Sequence, residues 1–289
     1  MKIVFSTDST CDLPSHYIQE KNIAVLPLIV TLGTDEFYDG VNVQPDQLYD
    51  YFARTKEVPK TAGRGIEDFK EFFSELLEKY DMVIHCGIGA EMSVCYNNAN
   101  MAAKELGCED KIKIVDSSAL SASTGLVILS GIKAYEEGAT VEEILSNMRH
   151  TAKNLQTSFV PDKLDYIYRS GRCSRFSFSM ASLLKIKPRL EVVNGKLINT
   201  GKEIGPFKNV IIKYIDTILK KYDHPRRDLA FLVHSKVDEN LLQYVLDYVE
   251  SKGIFDRVET SLAGSVISSH CGDGTIGLLY VNDGEKLEN

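Results

Sequence analysis

Residues 66–86 read Ile66-Glu67-Asp68-Phe69-Lys70-Glu71-Phe72-Phe73-Ser74-Glu75-Leu76-Leu77-Glu78-Lys79-Tyr80, then Asp81, then Met82-Val83-Ile84-His85-Cys86. In the first part Ile66, Phe69, Phe72, Phe73, Leu76, Leu77 and Tyr80 fall on one face at helical spacing, with acids and lysines opposite. The second part is a short apolar run, which predicts a buried strand. The alternation continues downstream. Glu91 to Leu106 predicts a helix ended by Gly107, Ile112 to Val115 a strand ending in Asp116, Ala119 to Glu137 a helix closing on Gly138, and Val141 to Leu155 a further helix. Upstream, Ile3 to Phe5 is a short strand and Pro14 stands where a first-turn helix proline belongs. Ile23 to Val30, interrupted by Pro27, reads as a buried strand. Gly33 and Asp39-Gly40 punctuate a turn-rich segment, and Pro45 opens another short helix. Strand and helix in this rhythm predict parallel βαβ units, an α/β domain over residues 1–155.

The second half changes character. Asn194-Gly195, inside the run Leu190 to Ile198, is a strong hairpin signal. Helices are expected at Pro206 to Tyr222 and Glu239 to Ser251, and strands at Leu229 to His234, Val258 to Leu262 and Ile276 to Val281. This predicts a C-terminal domain with a mixed sheet over residues 156–289. Two domains also suit 289 residues of which 44% are hydrophobic.

Composition removes several classes of function. A net charge of −8 presents no basic face to nucleic acid or anionic lipid headgroups. No segment approaches the roughly 20 apolar residues of a membrane span, and the N-terminus lacks the apolar core and cleavage site of a signal peptide. A cytoplasmic protein is expected. Cys11, Cys86, Cys95, Cys108, Cys173 and Cys271 form no Cys-x-x-Cys pair and no zinc-like spacing, so reduced, mostly buried thiols and no metal site are expected.

Four polar clusters interrupt the apolar pattern. Ser6-Thr7-Asp8-Ser9-Thr10-Cys11-Asp12-Leu13-Pro14 follows the first strand, at the end where α/β folds place ligands. Capping and loop rigidity account for most of these side chains, with Asp8 the residue to watch. Pro59-Lys60-Thr61-Ala62-Gly63-Arg64-Gly65 precedes the helix that opened this section; taken alone it is a surface turn whose Thr61 hydroxyl could donate to an anion. Gly87-Ile88-Gly89-Ala90-Glu91-Met92-Ser93-Val94-Cys95-Tyr96 leads from a strand into a helix, with backbone N–H groups and the positive helix end suited to an anion. Its glycines suggest close approach of backbone to ligand. Ser268-Ser269-His270-Cys271-Gly272-Asp273-Gly274-Thr275-Ile276-Gly277 places a histidine before Gly-x-Gly.

Ser93 and His270 also permit a hydrolase acting on an acyl ester, as nucleophile and base. The Gly-x-Ser-x-Gly elbow is absent, since Met92 and Val94 flank Ser93, and no glycine run matches a nucleotide P-loop.

Taken in order, these clusters resemble the DegV family over nearly the whole chain. The resemblance rests on Asp8-Ser9-Thr10-Cys11-Asp12-Leu13-Pro14, Pro27-Leu28, Tyr38-Asp39-Gly40, Pro59-Lys60-Thr61, Ser93 and Tyr96, Val115-Asp116-Ser117, Gly125, Ser170-Gly171-Arg172, Ile186-Lys187-Pro188 and His270-x-Gly-x-Gly. It implies two α/β domains enclosing one long-chain fatty acid such as palmitate, stearate or oleate, with no cofactor and no catalysis by the chain itself. It also implies a carrier that presents the carboxylate to a separate ATP-binding subunit of a fatty-acid kinase, which phosphorylates it for phospholipid synthesis. In such proteins the positions matching Thr61 and Ser93 hold the carboxylate, with backbone N–H groups near Val94. The position matching His270 completes the polar network, and the loop bearing Arg169 and Arg172 is where a kinase subunit could dock. Another amphipathic anion, such as a polyprenyl acid, would fit the same chemistry. A sixteen-carbon tail supplies about 10 kcal/mol at roughly 0.8 kcal/mol per buried methylene, before ordering costs. The carboxylate must be met by donors. This chain departs from the family pattern at Ala62-Gly63, where Ser-Gln is frequent, at Val94-Cys95, where Gly-Thr is frequent, and at Asp273, where Pro is common.

Overall fold

The computed structural model describes residues 1–171 and 186–288. The first half runs β1 (Ile3–Asp8), α1 (Ser15–Glu20), β2 (Ala24–Leu26), β3 (Ile29–Leu32), β4 (Asp35–Tyr38), α2 (Pro45–Thr55), β5 (Lys60–Ala62), α3 (Ile66–Leu77), β6 (Met82–Gly87), α4 (Cys95–Glu105), β7 (Ile112–Asp116), α5 (Ala122–Glu136) and α6 (Val141–Lys153). The second half runs β8 (Leu155–Gln156), β9 (Ser158–Pro161), α7 (Asp165–Ser170), β10 (Ile186–Val193), β11 (Lys196–Ile204), α8 (Phe207–Lys221), β12 (Ala230–Ser235), α9 (Glu239–Ser251), β13 (Val258–Leu262), α10 (Ser265–Cys271) and β14 (Thr275–Val281).

Strands β2-β1-β6-β7 form a parallel sheet in that order. β1 and β6 are buried along their whole length, as strands covered on both faces must be. The chain leaves β1 toward β2 on one side and returns to β6 on the other. The crevice beyond the carboxyl ends of β1 and β6 is therefore a topological switch point, where open α/β sheets bind ligands. The predicted strand Ile23 to Val30 is divided. Pro27 has no N–H for a ladder, so Ala24–Leu26 stays in the parallel sheet while Ile29–Leu32 starts a small antiparallel sheet, β4-β3-β5. Lys60-Thr61-Ala62, read from sequence as a turn, is the third strand of that sheet.

Among the described residues the second half builds a mixed sheet in the order β11-β10-β9-β14-β12-β13, with β8 also on β14. β12 and β13 run parallel and the other pairings are antiparallel. Asn194 and Gly195 both take positive φ at the β10–β11 turn, as a two-residue hairpin requires.

Helix α5 carries only two charged residues, Lys133 and Glu136, and is buried nearly all round. It lies in a core that includes Phe5 and Ile84 of the parallel sheet and Phe231 and Leu279 of the mixed sheet. Gly131 makes the close packing possible, since a Cβ there would fall 2.5 Å from Met148 Sδ. A second core buries Phe69 and Phe73 of α3 against Val4 and Val83, each ring contributing roughly 1.5–3 kcal/mol.

Candidate functional site

Residues of both halves of the chain line a cavity of about 480 Å³, within the roughly 300–1,000 Å³ usual for small-molecule sites. Thr61, Ser93, Val94 and His270, the four ligand-binding candidates from sequence, all line it. Three separate segments deliver them: β5, the turn before α4, and α10.

Thr61 is held by β5, where it pairs with Val30. Its Oγ1 lies 2.8 Å from His270 Nε2, in the last turn of α10. Ser93 sits in the turn between β6 and α4. Helix α4 starts at Cys95 rather than at Glu91; residues 88–90 are tied elsewhere, and Met92 N and Ser93 N donate back to Gly89 O. Ile88 N donates to Asp8 Oδ2 at 2.9 Å, Ala90 N to Asp116 Oδ1 at 3.0 Å, and Gly89 N to Ala119 O at 2.8 Å. Ser93 Oγ accepts from Cys95 N at 3.2 Å. Val94 is the residue before the helix and is 59% exposed.

Two glycines of this turn allow close approaches within the protein. A Cβ on Gly87 would fall 2.3 Å from Asp8 Oδ2, and one on Gly89 would fall 2.8 Å from Ala119 N. Gly63 does the same for the site itself. A Cβ there would lie 2.8 Å from Cys95 Sγ and 3.2 Å from Ser93 Oγ, so the bare backbone lets the end of β5 abut the Ser93 turn.

Asp8 caps the loop after β1. Its Oδ1 accepts from Thr10 N at 3.0 Å and from the Thr10 hydroxyl, besides the bond to Ile88. Asp12 and Asp39 are buried nearby, and burial pushes all three carboxyls up, Asp12 well up, while their hydrogen bonds pull the other way. Burial also pushes the Cys271 thiol, on the cavity wall, up to about 12, far from a thiolate at neutral pH. Asp273 is paired with Lys163, so its charge is met within the protein. Arg169 Nη1 donates to Lys56 O at 2.8 Å and its guanidinium lies over the Phe52 ring, which ties α7 to the end of α2. Arg172 and Cys173 lie outside the described residues.

Much of the wall comes from residues that carried no sequence signal. Thr157 between β8 and β9, Phe159, Val233 and Leu279 of the mixed sheet, and Val266 and Ile267 of α10 supply its second side. Except for the polar Thr157, their apolar character predicts burial, and only the tertiary fold selects which residues face a cavity. Among the described residues, no group of three or more His, Cys, Asp or Glu side chains is placed to hold a metal, and no helix is long and apolar enough to cross a membrane.

A family model described as "Uncharacterised protein, DegV family" matches residues 2–283. A DegV domain-containing protein of Clostridium perfringens is 30% identical over 284 residues, which cover 98% of this chain and 99% of that one. A protein of Thermotoga maritima named fatty acid-binding protein is 28% identical over 283 residues, 96% of each chain. The solved structure of a DegV family protein from Thermus thermophilus, described by its fatty acid binding, matches with a TM-score of 0.89 and 25% identity, covering 98% of this chain and all of that one. In fold, in the order of its motifs and in sequence from end to end, this chain belongs to the DegV family.

Proposed function

We propose that the chain binds one long-chain fatty acid, with the carboxylate at Thr61 and Ser93 and the tail in the cavity between two domains, 1–155 and 156–289. The observation that carries this reading is the pairing of the two hydroxyls. Each has a protein donor available to its oxygen: Cys95 N–H at Ser93, and His270 Nε2–H at Thr61 when the imidazole is protonated on that nitrogen. Each O–H is then left to donate outward, and two hydroxyl donors beside apolar walls are what a buried carboxylate needs. His270 serves here as the group that turns the Thr61 proton toward the ligand. The relatives named for fatty acid binding support the same ligand.

The reading is of a carrier and not a catalyst. The hydroxyl 2.8 Å from His270 Nε2 is that of Thr61, and Ser93 Oγ is engaged as an acceptor, which does not favour a Ser93–His270 nucleophile pair. A carrier of this kind works in the cytoplasm and presents its carboxylate to an ATP-using kinase subunit. We assign Arg169 and Arg172 to that docking, with Arg169 also serving the Lys56 contact.

Protein purified from a bacterial host is expected to carry one lipid per chain by native mass spectrometry, and organic extraction should identify it as a fatty acid. A chain that is empty, and stays empty after incubation with palmitate or oleate, refutes the proposal. Extraction of a polyprenyl acid would replace the ligand and keep the site.

A further inference from the structure

Asp12 and Asp39 stand behind the cavity wall, and both carboxylates are aimed at the start of α10. Asp39 follows β4. Its Oδ1 accepts from Ser265 N at 2.7 Å and its Oδ2 from Val266 N at 3.3 Å, while its own N–H donates to Leu28 O at 2.9 Å. Asp12 Oδ1 accepts from Gly264 N at 2.8 Å and Oδ2 from Ser121 Oγ at 2.5 Å; the Ser261 hydroxyl donates to the Asp12 carbonyl. Leu28 and Ser121 line the cavity from the first half, as Val266, Ile267 and His270 line it from α10. Each aspartate thus joins a cavity residue of one half to the helix that supplies the facing wall.

Asp8 differs, because its partners Thr10 and Ile88 both lie in the first half. Ordinary helix capping also falls short as an account. Caps normally come from the residue at the helix start, whereas these acceptors lie 226 and 252 residues away in the chain. Helix α10 has seven residues, too few to hold itself. Its place is set by what grips its ends, and at its start that grip is two buried carboxylates.

We infer that Asp12 and Asp39 are positioning residues that lock α10 onto the first half, so that His270 meets Thr61 in the ligand site. The ligand clause rests on the fatty-acid reading above; the helix clause does not. In the full chain, Asp39→Ala is expected to lower palmitate affinity at least tenfold and to shift the imidazole nitrogen resonances of His270 in unliganded protein. Asp39→Asn keeps one acceptor oxygen and should fall between Asp39→Ala and wild type, and it decides the matter if Asp39→Ala does not fold. Val249→Ala, on the buried face of α9 and not on the cavity wall, is the matched destabilised control and should move neither quantity. The inference is overturned if the aspartate variants leave either quantity at its wild-type value, or if Val249→Ala moves both equally. If wild-type protein binds no palmitate, the ligand reading fails and the His270 resonances alone decide the positioning role.

Discussion

Thr61 and Ser93 are far apart in sequence and sit on unrelated elements, yet Gly63 brings β5 close enough that Ser93 Oγ lies 3.2 Å from where its Cβ would be. From sequence, Ala62-Gly63 reads as the loss of a hydroxyl and an amide. The structure gives Gly63 a positive role, since a larger residue there would displace Cys95 or Val94. The hydroxyls themselves were recognisable only as members of an ordered set, because a Thr in a short polar run and a Ser before a helix are common. Their partners could not be read, since Thr61 meets His270 across 209 residues. A hydrogen bond to a charged group is worth about 1.5–3 kcal/mol, or roughly 10- to 100-fold in affinity. Thr61→Ala with Ser93→Ala is therefore expected to weaken palmitate binding by about two orders of magnitude or more in calorimetric titration, with the apolar contribution surviving. Thr61→Ser, which keeps the hydroxyl, should bind close to wild type. Affinity unchanged in the double variant would remove both residues from the site.

Among the elements, α3 was legible because a full apolar face recurs at 3.6 residues, and Phe69 and Phe73 are wholly buried. Helix α10 was not. Three of its seven residues are serine, so no apolar stripe marks it, and the Ser268 and Ser269 hydroxyls are satisfied by backbone carbonyls within the same segment. β5 is three residues long, too short to show alternation. The packing of α3 on β6 hides a titratable group that its apolar strand did not announce as unusual. His85 is buried with its Nδ1 3.0 Å from Ser6 Oγ, and the rings of Phe69, Phe72 and Phe73 approach it edge-on. Burial lowers its pKa from 6.5 to about 3. The folded state thus holds His85 neutral while the unfolded chain binds a proton below pH 6.5. The stability this group contributes is complete above 6.5 and is lost as pH falls toward 3, by up to about 1.4 kcal/mol per pH unit. The raised carboxyls of Asp8, Asp12 and Asp39 act oppositely, adding stability as they protonate. The difference in chemical-denaturation stability between wild type and His85→Gln isolates the histidine. The wild type should lose its advantage as pH falls below 6.5, and a pH-independent difference would contradict a buried neutral His85.

At the scale of the whole molecule, the sequence read as two domains because the strand–helix rhythm stops after α6 and a hairpin signature follows. That rhythm says which faces are apolar and nothing of what they meet. Helix α5 is where the two halves meet. It is buried nearly all round, and its core takes in Phe5 and Ile84 of one sheet and Phe231 and Leu279 of the other. The grip of Asp12 and Asp39 on α10 ties the halves a second time. Two halves that share one core and wall one cavity should unfold together. A single calorimetric transition with equal calorimetric and van't Hoff enthalpies is expected. Phe231→Ala, costing about 3–5 kcal/mol, should lower amide-exchange protection in the parallel sheet as well as in its own. Palmitate at 100 times its dissociation constant should raise the stability of both by about 2.7 kcal/mol, because a ligand walled by both halves binds only when both are folded. Two resolved transitions, or a Phe231→Ala effect confined to the mixed sheet, would show that the halves fold as independent units and that the cavity closes only by their docking.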